Sequence, residues 1–185
     1  MIHIITPCSR PWNIEHMVDS VPTQCHWVIV YDNAVLDHPD TVPAGHVGNI
    51  TILHSPYTGH AGNPNRNHAL NTITINDDDW VYIIDDDNII HPQWYTTVLP
   101  HLQEDSNMLV WGQLWSNGEV RLHPAIVPGV GNIDTACYMV RGRIMRTLRF
   151  QNEYTADGIL AREVLNYGKQ KVLNEYIAYY NYLRS

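Results

Sequence analysis

A chain of 185 residues, 44% of them hydrophobic and 16% charged, has the length of one domain and the composition of a folded globular protein, which excludes disorder. Its net charge of -8 leaves no broad basic face and argues against a nucleic-acid or anionic-membrane surface. Three widely spaced cysteines, Cys8, Cys25 and Cys137, form no CxxC pair and read as buried thiols of a reducing compartment, while eleven scattered histidines without an HExxH pattern argue against a zinc site. Residues 1–7 are too short for a signal peptide, and no apolar stretch reaches the ~18 residues of a membrane span. The chain therefore reads as soluble and cytoplasmic, and the lone sequon Asn49-Ile50-Thr51 as chance.

The elements follow in order. Ile2 to Ile5 form a short strand ended by Thr6-Pro7. Pro11 opens a helix whose Ile14, Met17, Val18 and Val21 share one apolar face. His26 to Tyr31 is a second strand ending at Asp32-Asn33, and Asn49 to His54 a third, after a linker containing Pro and Gly. A helix is expected over residues 64–75, with Ala69, Leu70 and Ile73 inward. Trp80 to Ile84 is the fourth strand, and Pro92 starts a helix that buries Val98, Leu99 and Leu102.

Beyond it, Met108 to Leu114 is a strand, and Ser116-Asn117-Gly118-Glu119 a hairpin turn into Val120-Arg121-Leu122. Thr135 to Val140 is strand-like, and Arg143 to Leu148 a short helix. Asp157 to Tyr167 is a helix with Ile159, Leu160, Val164 and Leu165 inward, stopped by Gly168. Strands alternating with helices predict an α/β fold with a mainly parallel sheet and a mixed C-terminal part.

Two acidic triplets stand out. Asp77-Asp78-Asp79 reads as a solvated turn. Asp85-Asp86-Asp87 differs, because it follows a run of strand formers and so falls at the carboxyl edge of the sheet, where open α/β folds bind ligands. Three adjacent carboxylates repel one another unless a divalent cation or several donors offset the charge. Hard oxygen ligands favour Mg2+ or Mn2+.

Taken together, four segments in order resemble a GT-A-type nucleotide-sugar glycosyltransferase of the inverting family 2. They are Ile5-Thr6-Pro7-Cys8-Ser9-Arg10-Pro11, then Val28-Ile29-Val30-Tyr31-Asp32-Asn33, then Gly62-Asn63-Pro64-Asn65-Arg66-Asn67, and Ile84-Asp85-Asp86-Asp87, which is similar to the Asp-x-Asp signature. A fifth, Ala156-Asp157-Gly158, stands where that family presents Glu-Asp, so the aspartate remains and its acidic neighbour is lost.

The resemblance implies a GT-A-like, Rossmann-like open sheet flanked by helices, in a single domain over 1–185. Residues 1–90 would form the nucleotide-binding half and 91–185 the acceptor side. It implies a metal-dependent transfer of a sugar from a nucleotide-diphosphate sugar, a UDP-sugar first, to a hydroxyl acceptor such as a glycan, with inversion. Pro7, Ser9, Arg10, Asp32, Asn63, Arg66, Asn67, Asp85 and Asp86 would meet the donor, Asp87 and Asp85 would hold Mn2+ or Mg2+, and Asp157 would be the general base.

Each residue has a plainer reading beside that one. Arg66, near a helix start where the dipole disfavours a cation, either bonds a diphosphate or an aspartate or is a surface arginine. Asp32 is a ribose or base contact or a turn former. Asp157 is the base, an N-cap, or both. Trp111, Trp115 and His123 lie in the chain between the triplet and Asp157, and either cover sugar CH faces or pack in the core and hairpin. Gly129-Val130-Gly131 is a loop over the donor, since the third glycine of a dinucleotide fingerprint is missing.

Two other functions compete. A nucleotidyltransferase also carries acidic metal ligands on an α/β sheet, but residues 6–16 lack the expected lysine and glycine. A noncatalytic nucleotide-sugar binding domain would account for the lost acidic partner of Asp157.

Overall fold

The computed structural model describes residues 1–35 and 48–183. The expected linker before the third strand lies mostly at 36–47, outside the described residues. Among the described residues eight strands join in one sheet, ordered β3-β2-β1-β4-β7-β5-β6, with β8 also on β5. The strands are β1 (Ile2–Cys8), β2 (His26–Tyr31), β3 (Asn49–His54), β4 (Trp80–Ile83), β5 (Met108–Trp115), β6 (Val120–Leu122), β7 (Tyr138–Arg141) and β8 (Gln170–Tyr180). Pairs β1–β2, β2–β3, β1–β4 and β5–β8 are parallel, while β7 and β6 enter antiparallel. The parallel half and the mixed C-terminal half are thus both observed.

Alternation along the strands builds two cores. Ile2, Ile4, Trp27, Ile29, Tyr82, Leu109 and Trp111 face one side, where α1 (Pro11–Met17) brings Ile14 and Met17, and α3 (Trp94–Val98) brings Trp94 and Val98. Ile5, Val28, Val30, Val81, Ile83, Met108 and Val110 face the other. There α2 (Asn63–Thr72) supplies Ala69 and Leu70, α4 (Gly142–Met145) supplies Ile144, and α5 (Ala156–Val164) supplies Leu160 and Val164. A sheet covered on both faces needs apolar residues at successive positions, which is why β1, β2 and β4 read as continuous hydrophobic runs.

Several local expectations change. The Pro92 segment turns into helix only at Trp94 and continues as a 3-10 turn over Leu99–His101, which leaves Leu99 exposed. Residues Thr135–Cys137 form a 3-10 turn, so β7 starts at Tyr138. In α5, Leu160, Ala161 and Val164 are buried, whereas Ile159 and Leu165 are half-buried. Gly168 ends that segment at φ +127°, as expected of a stop.

Strand β8 was not among the expected elements. Its near-alternation Val172, Glu175, Ile177 and Tyr179 is broken by the register shifts where it meets β5 at Gly112. A Cβ on Gly112 would lie 2.5 Å from the Tyr176 ring, so glycine there admits the strand.

The first acidic triplet is only partly a solvated turn. Asp77 is exposed and pairs with Arg146, but Asp79 is buried. Its Oδ2 accepts from the Asn76 amide at 2.7 Å and from His3 Nε2 at 3.2 Å. The turn thereby pins the start of β4 beside β1.

Gly142 opens α4 directly against that turn, where a Cβ would come 2.1 Å from the Asn76 carbonyl oxygen. Backbone on both sides cannot yield cheaply. Gly142→Ala is expected to lower unfolding free energy by about 2–3 kcal/mol in urea titration without changing the m-value.

Candidate active site

The parallel strands β1, β2 and β4 end at one edge of the sheet, and the chain leaving each carries a polar cluster: Ser9 and Arg10, Asp32, and Asp85 to Asp87. Here β1 has β2 on one side and β4 on the other, the switch point at which a crevice opens. A cleft of about 550 Å³ lies there, lined by Pro7, Ser9, Arg10, Asp32, Arg66 and all three aspartates on one side, and by Arg121, Asp134, Tyr154, Asp157 and Tyr180 on the other.

Two arginines and the loop after β1 hold the triplet, Arg10 serving two of its members. Asp85 Oδ1 accepts from Arg66 Nη2 at 2.5 Å. Asp86 is buried, and its Oδ2 accepts from the backbone amides of Ser9 and Arg10, both at 2.7 Å, while Oδ1 takes the Arg10 guanidinium. Asp87, also buried, lies 3.1 Å from Arg10 Nη2, and its carbonyl oxygen accepts from the Leu183 amide. Asp86 thus ties the end of β4 to the loop after β1 through the Ser9 and Arg10 backbone.

The first turns of α2 connect four parts of the site. Asn65 Nδ2 donates to Asp32 Oδ2 at 2.8 Å. Arg66 is buried, donates through Nη1 to Asn63 Oδ1, and lies over the Phe150 ring at 5.2 Å. Burial alone would weaken its charge, but the Asp85 carboxylate more than offsets that and holds the guanidinium pKa above its usual value. Gly62, at φ +71°, lets the start of this helix lie on Pro7, whose Cβ would be 2.8 Å from a side chain there.

Two residues expected at the donor are engaged with backbone elsewhere. Asn63 Nδ2 donates to the Glu153 carbonyl, and Asn67 exchanges two hydrogen bonds with the backbone of Phe150. Neither lines the cleft. Both amides are engaged in tying residues 150–153, the approach to α5, to α2.

That approach delivers Asp157 to the cleft. The first turn of α5 begins at Ala156 and its N-cap is Thr155, so Asp157 is not the N-cap. Burial pushes its carboxyl up to about 6, helped by the charges of Asp134 and Asp85 and opposed by the Gly158 amide and Arg66. Asp134 had no sequence signal beyond preceding a turn. It caps Thr135–Cys137 through Ala136 N and receives Arg121 Nη1 at 3.2 Å, and its own pKa is raised by burial and by Asp85. Arg121 in turn lies 3.5 Å over the Tyr180 ring, which is how the unforeseen β8 closes a wall.

Of the two readings of the aromatic residues, packing is the one observed. Trp111 is fully buried, donates Nε1 to the Ala136 carbonyl, and packs edge-on against Tyr82, so it does not reach the cleft. Trp115 and His123 are exposed but lie outside the lining, Trp115 against Tyr180 and His123 bonded to the Tyr176 hydroxyl.

Among the described residues no group of three acidic, His or Cys side chains cages a metal ion by itself. The donor set is nevertheless suited to a shared one. The lining carries the carboxylates of Asp32, Asp85, Asp86, Asp87, Asp134 and Asp157 against the guanidiniums of Arg10, Arg66 and Arg121. Hard cations are commonly held by one or two carboxylates and completed by substrate phosphate oxygens.

An open sheet with a polar cleft at the carboxyl ends of its central strands, lined by an acidic triplet and a lone aspartate at a helix start, defines the GT-A class of fold. The family model described as glycosyl transferase family 2 matches residues 4–176, and the chain belongs to that family. No curated protein matches it in sequence. Among solved structures it is similar to residues 1–349 of S. aureus TarS, with 16% identity and a TM-score of 0.65 over 96% of this chain and 59% of that one. The chain thus spans about three-fifths of that TarS fragment.

Weaker likeness extends to two other proteins. One is a 4-diphosphocytidyl-2C-methyl-D-erythritol synthase from Anaerococcus prevotii, with 13% identity and a TM-score of 0.51 over 95% of this chain and 89% of that one. The other is a putative glucose-1-phosphate thymidylyltransferase from Bacillus anthracis, with 10% identity and a TM-score of 0.52 over 96% and 88%. At these identities the likeness concerns the fold. No helix among the described residues is long and apolar enough to cross a membrane.

The raised pKa of Asp157 has a signed consequence for stability. Between the unfolded value near 3.8 and the folded value of about 6 the unfolded chain loses its proton first, so stability falls as pH rises through that window and stays lower above it. Asp157→Asn is therefore expected to gain on the order of 2 kcal/mol at pH 7.5 and almost nothing at pH 3.5, read by denaturant unfolding at both values.

Proposed function

We propose that this chain transfers a sugar from a nucleotide-diphosphate sugar, a UDP-sugar first, to an acceptor hydroxyl with inversion at the anomeric carbon. The supporting observation is the meeting, in one cleft of a family 2 chain, of the Arg66-bound Asp85 with Asp157, which lie 72 residues apart in the sequence. Asp157 accepts the acceptor hydroxyl proton as the new C1–O bond forms and the C1–O bond to the diphosphate breaks. A base with a pKa of about 6 is mostly ionised at pH 7 yet stronger than a surface aspartate, which suits proton transfer at neutral pH. Direct displacement needs no covalent enzyme intermediate.

Asp87 and Asp85 would hold Mn2+ or Mg2+ together with the donor diphosphate, supplying charge stabilisation for the leaving group. The net acidity of the lining supports this, because a diphosphate entering a cleft with more carboxylates than guanidiniums is repelled without an added cation. Arg10 is committed to Asp86 and Asp87, and its guanidinium holds the Ser9–Arg10 loop in place as the wall facing the donor.

The nucleotidyltransferase reading gains only the fold likeness of two structures, and the loop after β1 offers neither lysine nor glycine. The noncatalytic reading rested on the missing acidic neighbour at Ala156. Asp134 places a second carboxylate in the same cleft from another part of the chain, which favours the enzyme.

In a thermal-shift panel of UDP, GDP and dTDP, the largest stabilisation is expected for UDP with Mn2+, with little shift for any nucleotide in the presence of EDTA. Asp87→Ala is expected to abolish the Mn2+ dependence and to lower transfer by at least about a hundred-fold. Equal UDP shifts with Mn2+ and with EDTA would overturn the metal assignment. With the wild type, kcat/KM is expected to rise with pH through a midpoint near 6 as Asp157 loses its proton, a limb that Asp157→Asn removes along with the activity.

A further inference from the structure

We propose that Tyr154 and Val130 form an acceptor subsite that takes a neutral sugar ring, with Tyr154 as its stacking platform. The inference rests on the transferase reading and names its second substrate. Tyr154 is 82% exposed and Val130 is 55% exposed, yet both line the same cleft as Asp157. Tyr154 stands three residues before Asp157, at the entrance to α5. Val130 is seated against the first turn of that helix, since a Cβ on Gly158 would lie 2.5 Å from its Cα.

The loop that carries Val130 is internally tied. Asn132 Oδ1 accepts from the Gly129 amide at 2.8 Å, and its Nδ2 donates to the Val127 carbonyl at 3.0 Å. Two exposed apolar surfaces therefore line the cleft together with the proposed base and its many polar groups. A pyranose has that division of character: its CH face is covered by an aromatic ring, and its hydroxyls bond to carboxylates.

Charge selects among sugars. Each lining guanidinium already faces a carboxylate, Arg10 with Asp86, Arg66 with Asp85 and Arg121 with Asp134. The rim residues Val130, Gly131, Tyr154 and Thr155 carry no charge. Beyond a cation shared with the donor diphosphate, an anionic acceptor would meet a lining with more carboxylates than guanidiniums, whereas a neutral hexoside meets no such repulsion.

The test uses the full chain with UDP and Mn2+. Lactose, cellobiose and maltose serve as neutral probes and glucose 6-phosphate as the anionic one, with binding read by saturation-transfer NMR and turnover by UDP release from UDP-sugars. At least one neutral disaccharide is expected to bind, with its protons nearest the protein on one ring face, and glucose 6-phosphate to bind more weakly. Tyr154→Ala is expected to weaken disaccharide binding about ten-fold more than it weakens UDP binding, and Tyr154→Trp to restore it.

Equal binding of disaccharide to the wild type and Tyr154→Ala overturns the subsite, as does preference for the sugar phosphate or equal loss of UDP and disaccharide. Selective disaccharide binding without UDP release from any UDP-sugar leaves the subsite standing and overturns the transferase reading instead.

Discussion

Three adjacent carboxylates at the end of β4 are the constraint around which the rest of the site is arranged. Left together in a half-buried cleft they would repel one another by several kcal/mol. The fold meets that repulsion with donors from two elements: Arg66 from α2 for Asp85, and the amides and guanidinium of the loop after β1 for Asp86, with Arg10 reaching Asp87 as well. Meeting the electrostatic demand of the triplet therefore also fixes where β1, β4 and α2 end relative to one another. Removing the Arg10 guanidinium takes a charged donor from both buried carboxylates, Asp86 and Asp87, which is costlier than losing a surface ion pair.

The helix α2 extends that arrangement to the far side of the cleft. Through Asn65 it holds Asp32, through Arg66 it holds Asp85, and through Asn63 and Asn67 it holds the segment leading to Asp157. One short polar stretch thus sets the separation between the donor side and the proposed base. Its low apolar content is a consequence: only Ala69 and Leu70 are left to pack on the sheet. Asp157 shows the same trade in another form, because the burial that raises its basicity also destabilises the folded chain at neutral pH.

Much of the parallel half was legible in the sequence. The runs in β1, β2 and β4 are mostly apolar, interrupted at His3 and Thr6 and preceded by His26, and β1 continues through Pro7 to Cys8 where the sequence predicts a stop, so their type and order, but not every end, follow from local chemistry. The triplet and Arg66 were legible as a site because carboxylates at a strand end and a cation near a helix start both conflict with local stability. Of the two readings of Trp111 the core one holds, as its two-residue spacing from Leu109 assigns both to one face of β5, and that face is core. Strand β8 was missed because its pattern is broken at the bulge opposite Gly112. Asn63 and Asn67 sit within a family-like motif, but nothing local shows that their amides turn toward the backbone of residues 150–153.

By itself the sequence determined the alternation of elements, the two-sided burial of the central strands and the position of an acidic triplet at the carboxyl edge of the sheet. These depend on side-chain polarity and on periods of two and 3.6 residues, which neighbours along the chain carry. Tertiary structure alone decided which partner each carboxylate takes, that Asp134 enters the cleft of Asp157, that Arg121 rests on Tyr180, and that Tyr154 stands at the mouth. Charge pairing and desolvation act through space, and the groups concerned are as far apart in the chain as Ser9 and Asp86, so no window of sequence contains them.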